Sequence, residues 1–224
     1  MTLAVVSTLS ACSNLNKEIF ERSQVGYYYG KGVTSVKERH YKKALAILDK
    51  GLKESRNSGL YSLRGYCLLK VGKFSKACDD INMSFKYRDS ERFNIASINR
   101  HLSKVPYYKE AFLYGCRSLA YSYLEEHDKA LADADKAIEL EPKYSDWYCI
   151  RALARKHRGE ADLALQDLAK AIELSSKNPN PYKVRSDLYS SMGEEKKEEA
   201  KADGLMAEKL GYKPKNDLTE YEFK

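Results

Sequence analysis

The chain has 224 residues, of which 43% are hydrophobic and 32% charged, with a mean hydropathy of −0.62. This composition is typical of a soluble, helix-rich protein, and no run approaches the 18 apolar residues that a transmembrane helix needs. Only five prolines and twelve glycines are present, which leaves little room for long irregular segments.

The net charge of +7 is divided unevenly along the chain. Residues 31–110 include eighteen basic and eight acidic residues, a net charge of +10. Residues 111–224 include nineteen basic and twenty-two acidic residues, a net charge of −3. Because no recognised nucleic-acid module accompanies the basic half, we expect no nucleic-acid partner and favour an anionic surface or an acidic protein.

The first twelve residues, MTLAVVSTLSAC, form an apolar stretch that ends at Cys12. Its last four residues, LSAC, resemble the lipobox of bacterial lipoproteins, although no basic residue precedes the apolar run. The resemblance implies that residues 1–12 are a lipoprotein-like signal segment with a lipid anchor on Cys12. Because Ser13 rather than aspartate follows, it also implies an outer-membrane lipoprotein that faces the periplasm. The alternative is an ordinary amino terminus, with Met1 as the true start and a cytoplasmic location.

Residues 13–24 are interpreted as a tether or partial cap, and a pattern of 34 residues begins after them. Five windows share this pattern, and they begin at Val25, Ser58, Ala111, Ser145 and Pro179. Positions are counted from the first residue of each window. Position 4 is always tyrosine, position 8 is always small, and position 20 is alanine in the first four windows. In the fifth window two extra residues in the turn shift the later positions by two.

Each window predicts two short helices that cannot stand alone. In the fourth window Ala164, Leu168, Ala171 and Ile172 fall on one helical stripe. A helix of about thirteen residues is marginal in water by itself, so this stripe must be buried against neighbouring helices.

The 34-residue pattern resembles the tetratricopeptide repeat. The resemblance implies an all-α fold, a right-handed α-solenoid of helix-turn-helix repeats in which the first helices line a concave groove. Residues 25–91 would form repeats 1–2 and residues 111–212 repeats 3–5. Apolar residues at helical spacing predict one inserted helix within 92–110, and residues 213–224 form a charged tail.

The residue types at positions 7 and 23 of each window are also related. Position 7 is lysine in the first window and arginine in the other four, where position 23 or its shifted equivalent is aspartate. We interpret these residues as structural arginine–aspartate contacts inside each repeat rather than as an active site. The predicted pairs are Arg64 with Asp80, Arg117 with Asp133, Arg151 with Asp167, and Arg185 with Asp203.

Catalytic and metal-binding motifs are absent from the sequence, so we predict no catalytic residue, no metal site and no cofactor. The four cysteines after Cys12 are expected to be buried free thiols, with disulfides in an oxidising periplasm as the alternative. They are Cys67, Cys78, Cys116 and Cys149. An enzyme with a site around His101 in the insert is the least favoured hypothesis.

Binding through the groove is the favoured activity. The family resemblance implies that positions 2, 5, 9, 12 and 13 face the groove. Among them the predicted protein-binding residues are Tyr29, Lys37, Tyr66, Lys70, Phe112, Tyr123, Lys156, His157 and Lys183. Tyrosines and lysines suit a protein or peptide segment with apolar anchors and some negative charge. The family's carboxylate clamp, which grips chaperone tails, is not expected because Tyr29 and Val33 replace its lysine and asparagine.

Together these patterns predict a protein–protein interaction scaffold or adaptor. The leading hypothesis is a lipid-anchored bacterial envelope protein that recruits or positions other proteins. The alternative is a soluble cytoplasmic adaptor or a chaperone for a secreted protein.

Overall fold

The computed structural model describes residues 24–91 and 109–212, and within those ranges all regular structure is helical. The signal segment with Cys12, most of the tether, residues 92–108 of the insert and the tail lie outside the described residues. The α-helices are α1 (24–37), α2 (Tyr41–Glu54), α3 (Ser58–Lys70), α4 (Phe74–Glu91), α5 (Glu110–Tyr123), α6 (His127–Leu140), α7 (Ser145–His157), α8 (Ala161–Leu174), α9 (Pro179–Ser191) and α10 (Lys197–Lys209). A short 3-10 turn, Glu194–Lys196, precedes α10. The predicted all-α solenoid fold is confirmed.

The helices pack in consecutive pairs, and small residues let each pair approach closely. At Gly65 an added Cβ would lie 3.0 Å from Ile81 Cγ1 and 3.3 Å from the carbonyl oxygen of Ala77. The alanines at position 20 have no exposed surface in the first four repeats. Each pair therefore depends on small residues at positions 8 and 20, as the 34-residue pattern indicates.

The turn inside each repeat has a left-handed residue at position 15. Its φ lies between 60° and 103° in all five repeats, at Arg39, Gly72, Glu125, Gly159 and Gly193. In the first four repeats the next backbone N–H donates to the carbonyl five residues earlier, at 2.8–3.0 Å. This closure ends the first helix and turns the chain back toward the second. Arg39 and Glu125 adopt a conformation that normally favours glycine.

Each second helix packs against the first helix of the following repeat, and the first helices also contact one another. Helix α5 contacts α3 on one side and α7 on the other, and α7 contacts α9. Within the described ranges the second helices of neighbouring repeats do not pack on each other to the same extent. The first helices therefore gather on the concave side of the stack, and the second helices spread over the convex side.

The stack continues across the insert. Phe85 of α4 and Tyr114 of α5 have ring centroids 4.8 Å apart, and Arg117 Nη1 donates to Asn82 Oδ1 at 2.6 Å. Repeats 2 and 3 thus contact each other directly, although nineteen residues separate their windows in the sequence. No helix in 24–91 or 109–212 is long and apolar enough to cross a membrane.

Candidate functional site

Three of the predicted groove aromatics are buried in the stack. Tyr29, Tyr66 and Phe112 are 2%, 8% and 3% exposed. The rings of Tyr66 and Phe112 are 5.7 Å apart, and Phe112 approaches Trp147 at 6.4 Å, so one aromatic row joins repeats 2, 3 and 4. These rings contribute to packing between the first helices, and their role in binding a partner stays a prediction.

The remaining predicted groove residues differ in how much surface they offer. Lys70 is 6% exposed, whereas Lys37 is exposed and Lys156 is partly exposed. Tyr123 is partly exposed and stacks on Phe74, with ring centroids 4.5 Å apart. Lys183 Nζ lies 2.5 Å from Asp187 Oδ1 on the same helix. The accessible part of the predicted site is therefore concentrated on α1, α5, α7 and α9.

Two histidines meet where repeat 3 contacts repeat 4. The rings of His127 and His157 are 6.0 Å apart, and His157 Nδ1 lies 3.4 Å from the carbonyl oxygen of Ser122. Partial desolvation lowers the pKa of His157, against the effect of the Ser122 carbonyl, and Lys156 and His127 lower it further. The lowered pKa favours the neutral imidazole, and the place of His157 in the groove stays a prediction.

All four arginine–aspartate contacts indicated by the spacing are present. In each, arginine Nε and Nη2 donate to the two carboxylate oxygens at 2.6–2.9 Å. Each aspartate is no more than 7% exposed. Burial raises the pKa of Asp80, and the hydrogen bonds from Arg64 partly offset that rise. Paired geometry of this kind holds the two helices of a repeat in register.

The arginines also bond to the preceding repeat, which the sequence reasoning missed. The third donor, Nη1, reaches Asp49 from Arg64 at 2.8 Å, and it reaches Asp135 from Arg151 at 2.7 Å. These acceptors, with Asn82 opposite Arg117, all occupy position 25 of the earlier repeat. The recurrence of aspartate or asparagine at position 25 was the signal that could have revealed this contact. We call the combined set the arginine ladder.

The arginine ladder also includes the tyrosine at position 4. The guanidinium carbon lies 5.5–5.7 Å from this ring in repeats 2 to 5. One arginine therefore contacts its own first helix, its own second helix and, in repeats 2 to 4, the repeat before. Its role is architectural, because all these contacts bind parts of the same chain together.

The four cysteines of the described part of the chain, Cys67, Cys78, Cys116 and Cys149, are buried and form no disulfide with one another. Burial raises the pKa of the Cys67 and Cys78 thiols to about 12. Thiols so far from ionisation are poor nucleophiles at pH 7. No cluster of three or more metal-ligating side chains occurs within 24–91 and 109–212, and His101 lies outside those ranges.

A cleft between α9 and α10 offers no nucleophile either. The hydroxyl of Ser186, which lines it, donates to the carbonyl of Ala200 at 2.7 Å, and the hydroxyl of Ser190 donates to Ser186 at 2.9 Å. No histidine lines this cleft. The serines therefore satisfy backbone acceptors and lack a neighbouring imidazole base.

Known proteins resemble this chain in sequence at one repeat and in fold over most of its length. The tetratricopeptide repeat family model matches residues 113–144, which lie within the third window. No curated protein matches. The match to the family model thus covers one of the five windows.

Solved structures extend the resemblance across the solenoid. TTC0263, a thermophilic tetratricopeptide protein of Thermus thermophilus, has a TM-score of 0.63 and 21% identity over 84% of this chain and 91% of its own. MamA residues 41 to the end from Desulfovibrio magneticus RS-1 has a TM-score of 0.60 and 12% identity over 84% and 94%. YrrB, described as a protein with an unusual peptide-binding site, has a TM-score of 0.55 and 17% identity over 88% and 91%. At these identities the matches establish the fold alone.

Proposed function

We propose that this chain, which folds as a tetratricopeptide-repeat solenoid, is a protein–protein interaction scaffold or adaptor anchored in a bacterial cell envelope through a lipid on Cys12. The observation that carries the proposal is the gathering of the first helices on the concave side of a continuous stack. Such a stack offers one long surface for a partner. YrrB, with its peptide-binding site, supports binding as the use of such a surface.

The partner that fits the groove is a protein or peptide segment with negative charge and apolar side chains. Lys37 and Lys156 place positive charges on the first helices of repeats 1 and 4. Tyr123, on the first helix of repeat 3, adds a partly exposed ring. His157 adds a neutral hydrogen-bonding group next to Lys156. Aromatic and cationic groups together favour anchoring by a few side chains of an extended or helical segment.

Groove binding is tested by site-specific photo-crosslinking in the native bacterial host. A photoreactive residue in place of Lys156 on α7 is expected to give a defined adduct. The same residue in place of Lys170, on the convex helix α8, is the matched control because Lys170 pairs with Glu173 on that helix. Equal adducts from both positions, or none from position 156, would contradict a role for the groove.

The lipid anchor is tested separately, through the intact mass and membrane partitioning of protein made from its native gene with upstream sequence. A mature chain that begins at acylated Cys12 supports the envelope location, and Cys12→Ser is expected to release the protein from membranes. An unprocessed chain in the soluble fraction would instead support the cytoplasmic adaptor.

A further inference from the structure

Charge pairing on the second helices differs between the first two repeats and the later ones. In repeats 3 and 4 the lysine at position 26 pairs with the glutamate at position 29, as Lys136 with Glu139 at 2.9 Å and Lys170 with Glu173 at 2.7 Å. In repeat 1 the same two positions are Lys50 and Lys53. The glutamate that neutralises the later repeats is thus replaced by a second lysine.

The same replacement of an acidic residue by lysine occurs at position 16, which pairs with position 19. In repeat 3 these positions are the bonded pair Glu126 and Lys129. In repeat 2 they are Lys73 and Lys76. Lysine also replaces glutamate at position 29 of repeat 2, which is Lys86.

Equivalent positions of a solenoid recur along one surface, so these substitutions place unneutralised positive charge on the second helices of both repeats 1 and 2, on the convex side. We call this set of lysines the lysine face; it consists of Lys43, Lys50, Lys53, Lys73, Lys76 and Lys86. All six side chains are exposed, and none has an ion pair or hydrogen bond with the described residues. Of the exposed acids among residues 41–88, Asp49 is held by Arg64, which leaves Glu54 and Asp79.

We infer that the lysine face binds an anionic lipid surface. Lysine is a strongly hydrated point charge on a flexible stem, which suits many loosely placed phosphates better than one tightly recognised carboxylate. Two arginines of this region are already engaged within the protein, Arg64 with Asp80 and Arg56 with the side chain of Tyr87. The face therefore favours diffuse attraction over specific capture of an acidic peptide.

A nucleic acid fits this face less well than a lipid surface. Single strands are held by aromatic rings on which bases stack. The rings nearest the lysine face are engaged within the protein: Tyr87 stacks on Tyr61 at 5.6 Å, and Phe74 stacks on Tyr123 at 4.5 Å. The face thus supplies charge without stacking surfaces.

The geometry of the chain is compatible with a membrane next to repeat 1. Helix α1 is described from residue 24, which is twelve residue steps from Cys12. A fully extended chain of that length reaches about 40 Å, so a lipid on Cys12 would hold repeat 1 close to the bilayer. Because the lysine face is convex, the groove would stay open to a protein partner. The inference depends on the proposed envelope location only for which membrane supplies the lipid; binding to anionic vesicles does not depend on it.

The test uses the unlipidated full-length chain carrying Cys12→Ser, so that a missing lipid anchor cannot decide the result. Co-sedimentation is measured with vesicles of phosphatidylglycerol and phosphatidylcholine in equal parts, and with phosphatidylcholine alone. We expect binding to the anionic vesicles only, weakened at least about tenfold when salt rises from about 0.05 M to about 0.5 M. Absence of binding at low salt would overturn the inference.

The matched variants separate this face from overall charge. Lys53→Glu, Lys73→Glu and Lys86→Glu together give repeats 1 and 2 the acidic residues of the later repeats. We expect this triple variant to bind at least about 100-fold more weakly. Lys143→Glu, Lys177→Glu and Lys201→Glu together change the net charge equally at exposed positions elsewhere, and we expect less than about threefold weakening, because these sites lie outside the face.

Equal weakening by both triple variants would overturn the inference, as would tighter binding to polyglutamate or duplex DNA than to the anionic vesicles at the same salt. Circular dichroism establishes that each variant is folded. A gain-of-function variant gives an independent arm: Glu139→Lys with Glu173→Lys extends the lysines at position 29 into repeats 3 and 4, and is expected to tighten vesicle binding about tenfold.

Discussion

Arg117, in the middle of the stack, bonds both to its own repeat and to the one before it. Among the described residues, Arg185 in the last repeat bonds only to its own repeat. The cause is one residue, because position 25 of repeat 4 is Ala169 and offers no acceptor. At the other end, repeat 1 has Lys31 and Ile47 where later repeats have the arginine and aspartate. The difference suggests that the interior repeats unfold together and the ends more independently.

Among the described residues, the two most exposed large apolar side chains lie in the end repeats. Tyr27 of α1 is 55% exposed, and Leu205 of the last helix is 58% exposed. In the interior, Trp147 is 1% exposed and lies against Gly115 of the preceding repeat. Joints between interior repeats are thus closed by close packing as well as by the arginine ladder.

The largest effect is expected from Gly115→Ala. Its Cβ would lie 2.2 Å from Trp147 Cζ3, and the buried indole has little room to move, so repeats 3 and 4 must separate. We expect the free energy of unfolding to fall by about 3 kcal/mol, the upper end of the usual range for an overpacked core, measured by urea denaturation. Gly204→Ala in the last helix is the control, because its Cβ would meet only Ser186 Oγ at 3.4 Å. That variant should be neutral or slightly more stable, owing to the better helix propensity of alanine. Equal losses at the two glycines would contradict the distinction between interior and end.

The second prediction compares Arg117→Ala with Arg185→Ala. The first strands the buried carboxylate of Asp133 and removes the bond to Asn82, and it should cost about 2 to 3 kcal/mol. The second leaves the carboxylate of Asp203 without its arginine partner and should cost about 1 to 2 kcal/mol.

Hydrogen exchange resolved by helix measures how far each loss of stability spreads. Loosening after Arg117→Ala should extend to α4, while that after Arg185→Ala should stay within α9 and α10. A double-mutant cycle with Asn82→Ala isolates the contact between repeats, and a coupling near zero would show that this bond adds nothing.

The sequence predicted the contacts whose two residues lie within one repeat, and it did not predict those that join two repeats. The contact of Arg64 with Asp80 was predictable because both residues recur at fixed positions of the same window. The bond from Arg64 to Asp49 was missed because it joins two windows, so neither window reveals it alone. Burial of Tyr66 and Phe112 was missed for a related reason: the resemblance assigned these positions to the groove, but the neighbouring first helices decide how much of each ring stays accessible.

The third prediction concerns the left-handed turns, which sequence reasoning also missed where glycine is absent. Glu125 has φ of 61° and Arg39 has φ of 60°. Glycine at either position should raise the free energy of unfolding by about 0.5 to 1 kcal/mol, because it adopts this conformation without a Cβ penalty. The interior change, Glu125→Gly, should increase hydrogen-exchange protection in adjacent repeats, and Arg39→Gly should do so only in α1 and α2. Gly159→Ala is the reciprocal control. Its Cβ would meet nothing within 4 Å, so any loss of stability comes from the backbone alone.

The smallest effect is expected from completing the arginine ladder at its last joint. Ala169 is exposed at position 25 of repeat 4, the position from which Asp135 accepts a bond from the next repeat's arginine. Ala169→Asp should therefore give Arg185 Nη1 the acceptor it lacks among the described residues, and raise stability by about 0.5 kcal/mol. Because the new bond would join repeats 4 and 5, exchange from α9 and α10 should slow toward that of the interior helices. The same substitution in an Arg185→Ala background removes the donor and should bring no gain. If Ala169→Asp still raised stability without Arg185, the new carboxylate would be acting through another contact. The independence of the last repeat would then need a cause other than the missing bond.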